Sequence, residues 1–142
     1  MLLQMLVGSL VISLTIVIEV TFIFAAIYLL SHHHITKFLG SEFLALVLTL
    51  TFVALWLLGA FSLSTWLWAF TFISLDCFSS FEEALYFSMV AFTSLGFGDV
   101  ILPSEWRLLS GPIVANGLIL FGLNTAFLIE TLRRILEAHK KL

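Results

Sequence analysis

"TSLGFGDV", residues 93–100, is the stretch on which the reading turns. Two glycines flank an aromatic residue and an aspartate follows at once, between apolar runs. The surrounding chain has 142 residues, 61% hydrophobic and 11% charged. A soluble domain is about half apolar and roughly a quarter charged. So few charges cannot coat a globule. The chain reads as one integral membrane unit with no separate catalytic or nucleotide-binding domain. Non-helical backbone at membrane depth is tolerated only where it is buried in protein or lines a watery path. Glycine reaches backbone conformations closed to other residues, including φ > 0, and alternating such conformations turns successive carbonyls to one side.

Working outward, three segments hold the roughly 20 apolar residues a spanning helix needs: 2–30, 43–61 and 108–132. Past residue 61 the chain stays apolar through "STWLWAFTFISL", so the second helix either continues or breaks near 62–64. Trp66 and Trp68 suit a membrane–water interface. No Lys or Arg precedes the first apolar run, which is long and holds Glu19, so it reads as mature protein and not as a signal peptide. "SSFEEALYFSMVAFT", residues 79–93, reads as a short helix. Ser79 or Ser80 caps it, Glu82 or Glu83 completes a capping-box pattern, and both acids suit the positive end of the helix dipole. It is too short to cross a bilayer, so it enters and stops.

Basic residues orient the chain. Lys37 lies in the linker "SHHHITKFLGSE", and Arg133, Arg134, Lys140 and Lys141 end the sequence. The positive-inside rule makes both places cytoplasmic and the N-terminus external. Asp76, Glu82, Glu83, Asp99 and Glu105 then share the outer side with Arg107, an acidic mouth that concentrates cations.

With this order of elements, "ALYFSMVAFTSLGFGDV" resembles the pore helix and selectivity filter of the potassium channel family. The family pattern Thr-X-Gly-Tyr/Phe-Gly-Asp reads here Ser94-Leu95-Gly96-Phe97-Gly98-Asp99, after Thr93. Serine keeps the hydroxyl of the usual threonine, and phenylalanine stands for the commoner tyrosine, as in the eag-related channels. The resemblance covers residues 43–134: outer helix, pore helix 80–93, filter 94–99 and inner helix 105–134. A first helix (1–31), a linker (32–42) and a short tail (135–142) lie outside it. The resemblance implies an all-α membrane fold, with three spanning helices and a re-entrant pore helix and filter loop, assembled as a homotetramer in membrane lipid. It implies K⁺ coordinated by the carbonyls of Ser94, Leu95, Gly96 and Phe97 and by the Ser94 hydroxyl. Thr93, Gly98 and Asp99 would support the filter, with Asp99 behind its outer end and bonded in the pore-helix region. Phe97 would pack outward as a cuff, without the bond a tyrosine hydroxyl makes. No organic cofactor, nucleic acid or enzymatic chemistry is expected. The expected location is the inner (plasma) membrane of a bacterium.

In the third span, Gly117, Phe121, Asn124, Thr125 and Leu128 share a face at helical spacing. Gly117 matches the family's gating-hinge glycine, and close helix packing is the equal alternative. Asn124 or Thr125 faces a cavity below the filter or bonds between helices. Glu130 and Arg134 form a favourable i,i+4 pair.

Other features lie beyond the resemblance. Glu19 is a carboxyl deep in an apolar helix, a candidate for pH sensing or a bond to a neighbouring subunit, with Thr15 one turn away. His32, His33 and His34 are candidates for Zn²⁺, Ni²⁺ or pH response, with a polar headgroup-facing linker as the simpler reading. Cys77, the one cysteine, excludes a disulfide within the chain and leaves a free thiol or an intersubunit bond. No Arg or Lys repeat precedes Lys37, so a voltage sensor of the usual kind is not expected. Two rival readings remain: a non-selective cation channel of the same fold, and a non-conducting subunit of a larger assembly.

Overall fold

The computed structural model describes residues 1–32 and 42–139. His33, His34, Lys37, Lys140 and Lys141 lie outside the described residues, and so do the roles suggested for them. The elements are α1 (Leu2–His32), α2 (Glu42–Ser74), α3 (Phe81–Phe92), a 3₁₀ turn (Arg107–Leu109) and α4 (Ser110–His139). No strand occurs among the described residues. Three helices are long and apolar enough to cross a membrane, over Leu2–Leu30, Phe43–Ser74 and Arg107–Glu137.

The second helix runs unbroken through the region where a break near 62–64 was open. Its serines and threonines cost the helix little because they bond back one turn, as in Ser62 Oγ to Leu58 O at 2.8 Å and Thr71 Oγ1 to Leu67 O at 2.8 Å. The pairing of tryptophans at an interface fails for one of them. Trp66 is half exposed, but Trp68 is fully buried, with its ring 5.6 Å from that of Phe72. Adjacent positions two apart lie on different helix faces, and the face carrying Trp68 turns inward.

α1 runs antiparallel to α2 and parallel to α4. Against α2, the Trp56 indole donates to the Phe22 carbonyl at 2.9 Å. Against α4, Gly8 meets Pro112, and further along Thr15 meets Asn116. There the hydroxyl and the amide exchange bonds of 2.9 and 2.8 Å, with both side chains fully buried. Lipid tails are as apolar as leucine, so apolar contact alone does not drive helices together in a bilayer. Close packing and a buried polar pair do, the latter by about 0.6 and at most about 1.7 kcal/mol. α1 is thus fastened to its own chain's inner helix.

The core gathers where α3 packs between α2 and α4, with side chains of α1 reaching it from the far side of α4 and α2. Phe72 and Phe87 stand edge to face at 5.3 Å, and Phe78 lies 5.3 Å from Phe87. Val11, Trp68, Phe92, Leu109 and Ile113 complete the same cluster. Cys77 belongs to it too. Burial, and secondarily the charge of Asp76, pushes its thiol up to about 11, so it is a poor nucleophile near neutrality.

Candidate functional site

α3 is a preformed mount. Ser80 caps it in an extended conformation, accepting from the Glu83 amide at 3.2 Å, and such a cap contributes about 1 kcal/mol. The Glu83 carboxylate takes the Ser79 hydroxyl at 3.4 Å in place of the reciprocal bond of a full capping box. At the other end, the Ser94 amide reaches the Ala91 carbonyl and the Leu95 amide reaches Val90, both at 3.0 Å. That pair of bonds is a Schellman motif, which needs a left-handed residue just past the helix. Ser94 fills it with φ 61°. α2 ends the same way, with Asp76 at φ 53° and bonds from Asp76 to Ile73 and Cys77 to Phe72.

The left-handed conformation recurs at every second residue beyond Ser94: Gly96 has φ 58° and Gly98 φ 76°. A β-carbon at Gly96 or Gly98 meets nothing within 4 Å. Backbone geometry is therefore what demands glycine there, not space. Leu95 and Phe97 alternate with them and are 60% and 65% exposed in the single chain.

Asp99 closes the segment. The Tyr86 hydroxyl on α3 donates to its carboxylate at 2.6 Å across 13 positions. That bond holds the Asp99 carboxyl below the usual carboxylate range, helped by the amides of Asp99 and Val100 and opposed by partial desolvation. The filter pattern does not single out Tyr86; it points only to the hydroxyl that Phe97 lacks. The signal was present: an isolated phenol in an apolar helix one short loop before an aspartate. Thr93 spends its hydroxyl on the Met89 carbonyl at 2.7 Å, tightening the last turn of α3.

Below α3 lies a cavity of about 380 Å³ lined by Leu57, Phe61, Thr93, Phe121, Asn124, Thr125 and Leu128, among others. Four of the five inner-helix positions grouped by helical spacing meet there. The fifth, Gly117, faces elsewhere. A β-carbon on it would stand 1.9 Å from the Phe92 carbonyl oxygen, so α4 crosses the end of α3 in near backbone contact. Phe61 bridges the two places, 5.1 Å from Phe92 and 5.4 Å from Phe121. At the far end of α4, Arg134 donates to Glu130 at 2.7 Å, and Arg133 lies between Glu130 and Glu137 on an exposed surface.

Residues 15–134 match the family model described as ion channel, a two-transmembrane pore family of the potassium-channel type. The chain belongs to that family. The match begins inside α1, at the residue that bonds Asn116, and so starts well before residue 43, where the resemblance had been placed. No curated protein and no solved structure matches the channel chain. Membership supports an ion channel, and the three apolar helices support an integral membrane protein.

Proposed function

We propose that four copies of this chain form a K⁺-selective pore. The observation that carries the reading is the alternation of left-handed backbone at Ser94, Gly96 and Gly98 directly after a short capped helix. Such alternation turns consecutive carbonyls to one side, and rings of carbonyls replace the hydration shell of a K⁺ ion. In this reading Ser94, Leu95, Gly96 and Phe97 supply the oxygens, with the Ser94 hydroxyl as the innermost ligand. Tyr86 and Asp99 hold the strand's outer end. One chain holds one filter strand and leaves Leu95 and Phe97 uncovered, as a segment completed by its copies requires. Positive residues in the linker and tail support a reading with the N-terminus outside and the filter mouth on the same side.

Purified protein in liposomes tests this. K⁺ flux that excludes Na⁺ and is blocked by Ba²⁺ is the expected result. Equal Na⁺ and K⁺ flux would favour a non-selective channel, and no flux with a copurifying partner would favour a silent subunit. Gly96→Ala places a side chain at φ 58°, and K⁺ flux should vanish while the oligomer persists. Flux that survives this change overturns the filter assignment.

A further inference from the structure

Glu19 lies in the middle of α1, wholly buried, and neither of its carboxylate oxygens has a hydrogen-bond partner. Its neighbour one turn away, Thr15, is committed to Asn116. The register of α1 on α4 sets Glu19 level with Leu120, and on α2 the contacts of Phe22 with Trp56 and Gly59 set it level with residues 59–62. Leu120 and Ala60 are fully buried. No titratable residue occurs on α2 from Phe43 to Ser74, nor on α4 from Ser110 to Ile129. The charged groups nearest in register are Arg107 beyond one end of the α1–α4 contact and Glu130 beyond the other, with Tyr28 further along α1. An ionised carboxylate with no counter-charge and no donor is expelled from such a place, whereas a protonated one is tolerated.

We propose that Glu19 is a proton-binding site that locks α1 onto the pore. With its proton the carboxyl stays between α2 and α4. Without it the carboxylate seeks water, and α1 loosens from α4 beside the Thr15–Asn116 pair. Asn116 precedes Gly117, which rests on the Phe92 carbonyl two residues before Ser94. Loss of the proton therefore slackens the base of the ion path, and conduction falls as pH rises. This link to conduction rests on the channel reading; the proton site does not.

The test compares the wild type with Glu19→Gln, which keeps the shape and cannot ionise. The infrared spectrum at neutral pH should contain a protonated-carboxyl C=O band that Glu19→Gln lacks. The band should fade on alkalinisation in step with a several-fold loss of K⁺ flux, while Glu19→Gln keeps its neutral-pH flux throughout. Absence of the band at neutral pH overturns the proposal, as does an unchanged pH profile of flux in Glu19→Gln. If neither protein conducts at any pH, the channel reading fails, and amide hydrogen exchange decides the lock. Faster exchange along α1 in the wild type than in Glu19→Gln at alkaline pH supports it, and equal exchange overturns it.

Discussion

Single atoms decide how firmly the Gly-Phe-Gly-Asp segment is held. The Tyr86–Asp99 bond links the outer end of the segment to the helix that precedes it. Tyr86→Phe should leave the fold intact and lower K⁺ over Na⁺ preference several-fold, read as relative flux in liposomes. The pH dependence of this tether follows from its sign. The folded-state value of Asp99 is depressed, so its contribution is full above the ordinary aspartate range near pH ~4. It is lost only as pH falls through the depressed folded value. Selectivity should hold from neutral down to about pH 4 and decline below it, and Tyr86→Phe should lack that acid-end change. Asp99 is marked as a support only by the resemblance of its segment to the channel-family pattern. Its donor is not marked, because a phenol thirteen positions back becomes a neighbour only once α3 and the turn after it are folded. Glu19 stood out in sequence as a lone acid, yet its lack of partners needed three helices in place.

At the level of elements, the short capped helix was readable from local chemistry alone. Ser80, Glu83 and the run of apolar residues specify a start, a length and a face, and tertiary packing did not override them. The end of α2 was not readable, because an apolar run carries no stop signal and the turn at Asp76 uses a left-handed non-glycine residue. Helical spacing grouped Gly117 with the cavity face, but spacing cannot report a backbone 1.9 Å from where a β-carbon would stand. That contact makes a firm expectation. Gly117→Ala should destabilise the assembly by about 1–3 kcal/mol or more, as overpacking does, measured as a lower midpoint of thermal dissociation in detergent. A glycine needed only for bending would tolerate alanine with its stability unchanged and its flux altered, and that outcome would remove the packing role.

For the whole molecule, the first helix is part of the pore unit. It packs against α2 and α4, and Gln4 near its start donates to the Glu105 carbonyl in the loop before the 3₁₀ turn. A chain beginning at residue 42 would expose Asn116 and the flank of α4 to lipid. It should lose the stable oligomer, seen as dispersity on size exclusion, although it retains every residue of the proposed filter. A truncated chain that assembles and conducts normally would show α1 to be dispensable. The length of α2 has a separate consequence for where this fold can work. Its 33 residues extend about 50 Å at a rise of ~1.5 Å each, against a hydrocarbon layer about 30 Å thick. Tilting within the usual range of up to ~40° does not absorb that excess. Its apolar ends must reach into the headgroups or draw thicker lipid around them. The far end turns through Asp76 straight into the cap of α3. Acyl-chain length is thereby coupled to the tilt of α3, and bilayer thickness becomes one of the quantities to which this small protein is tuned.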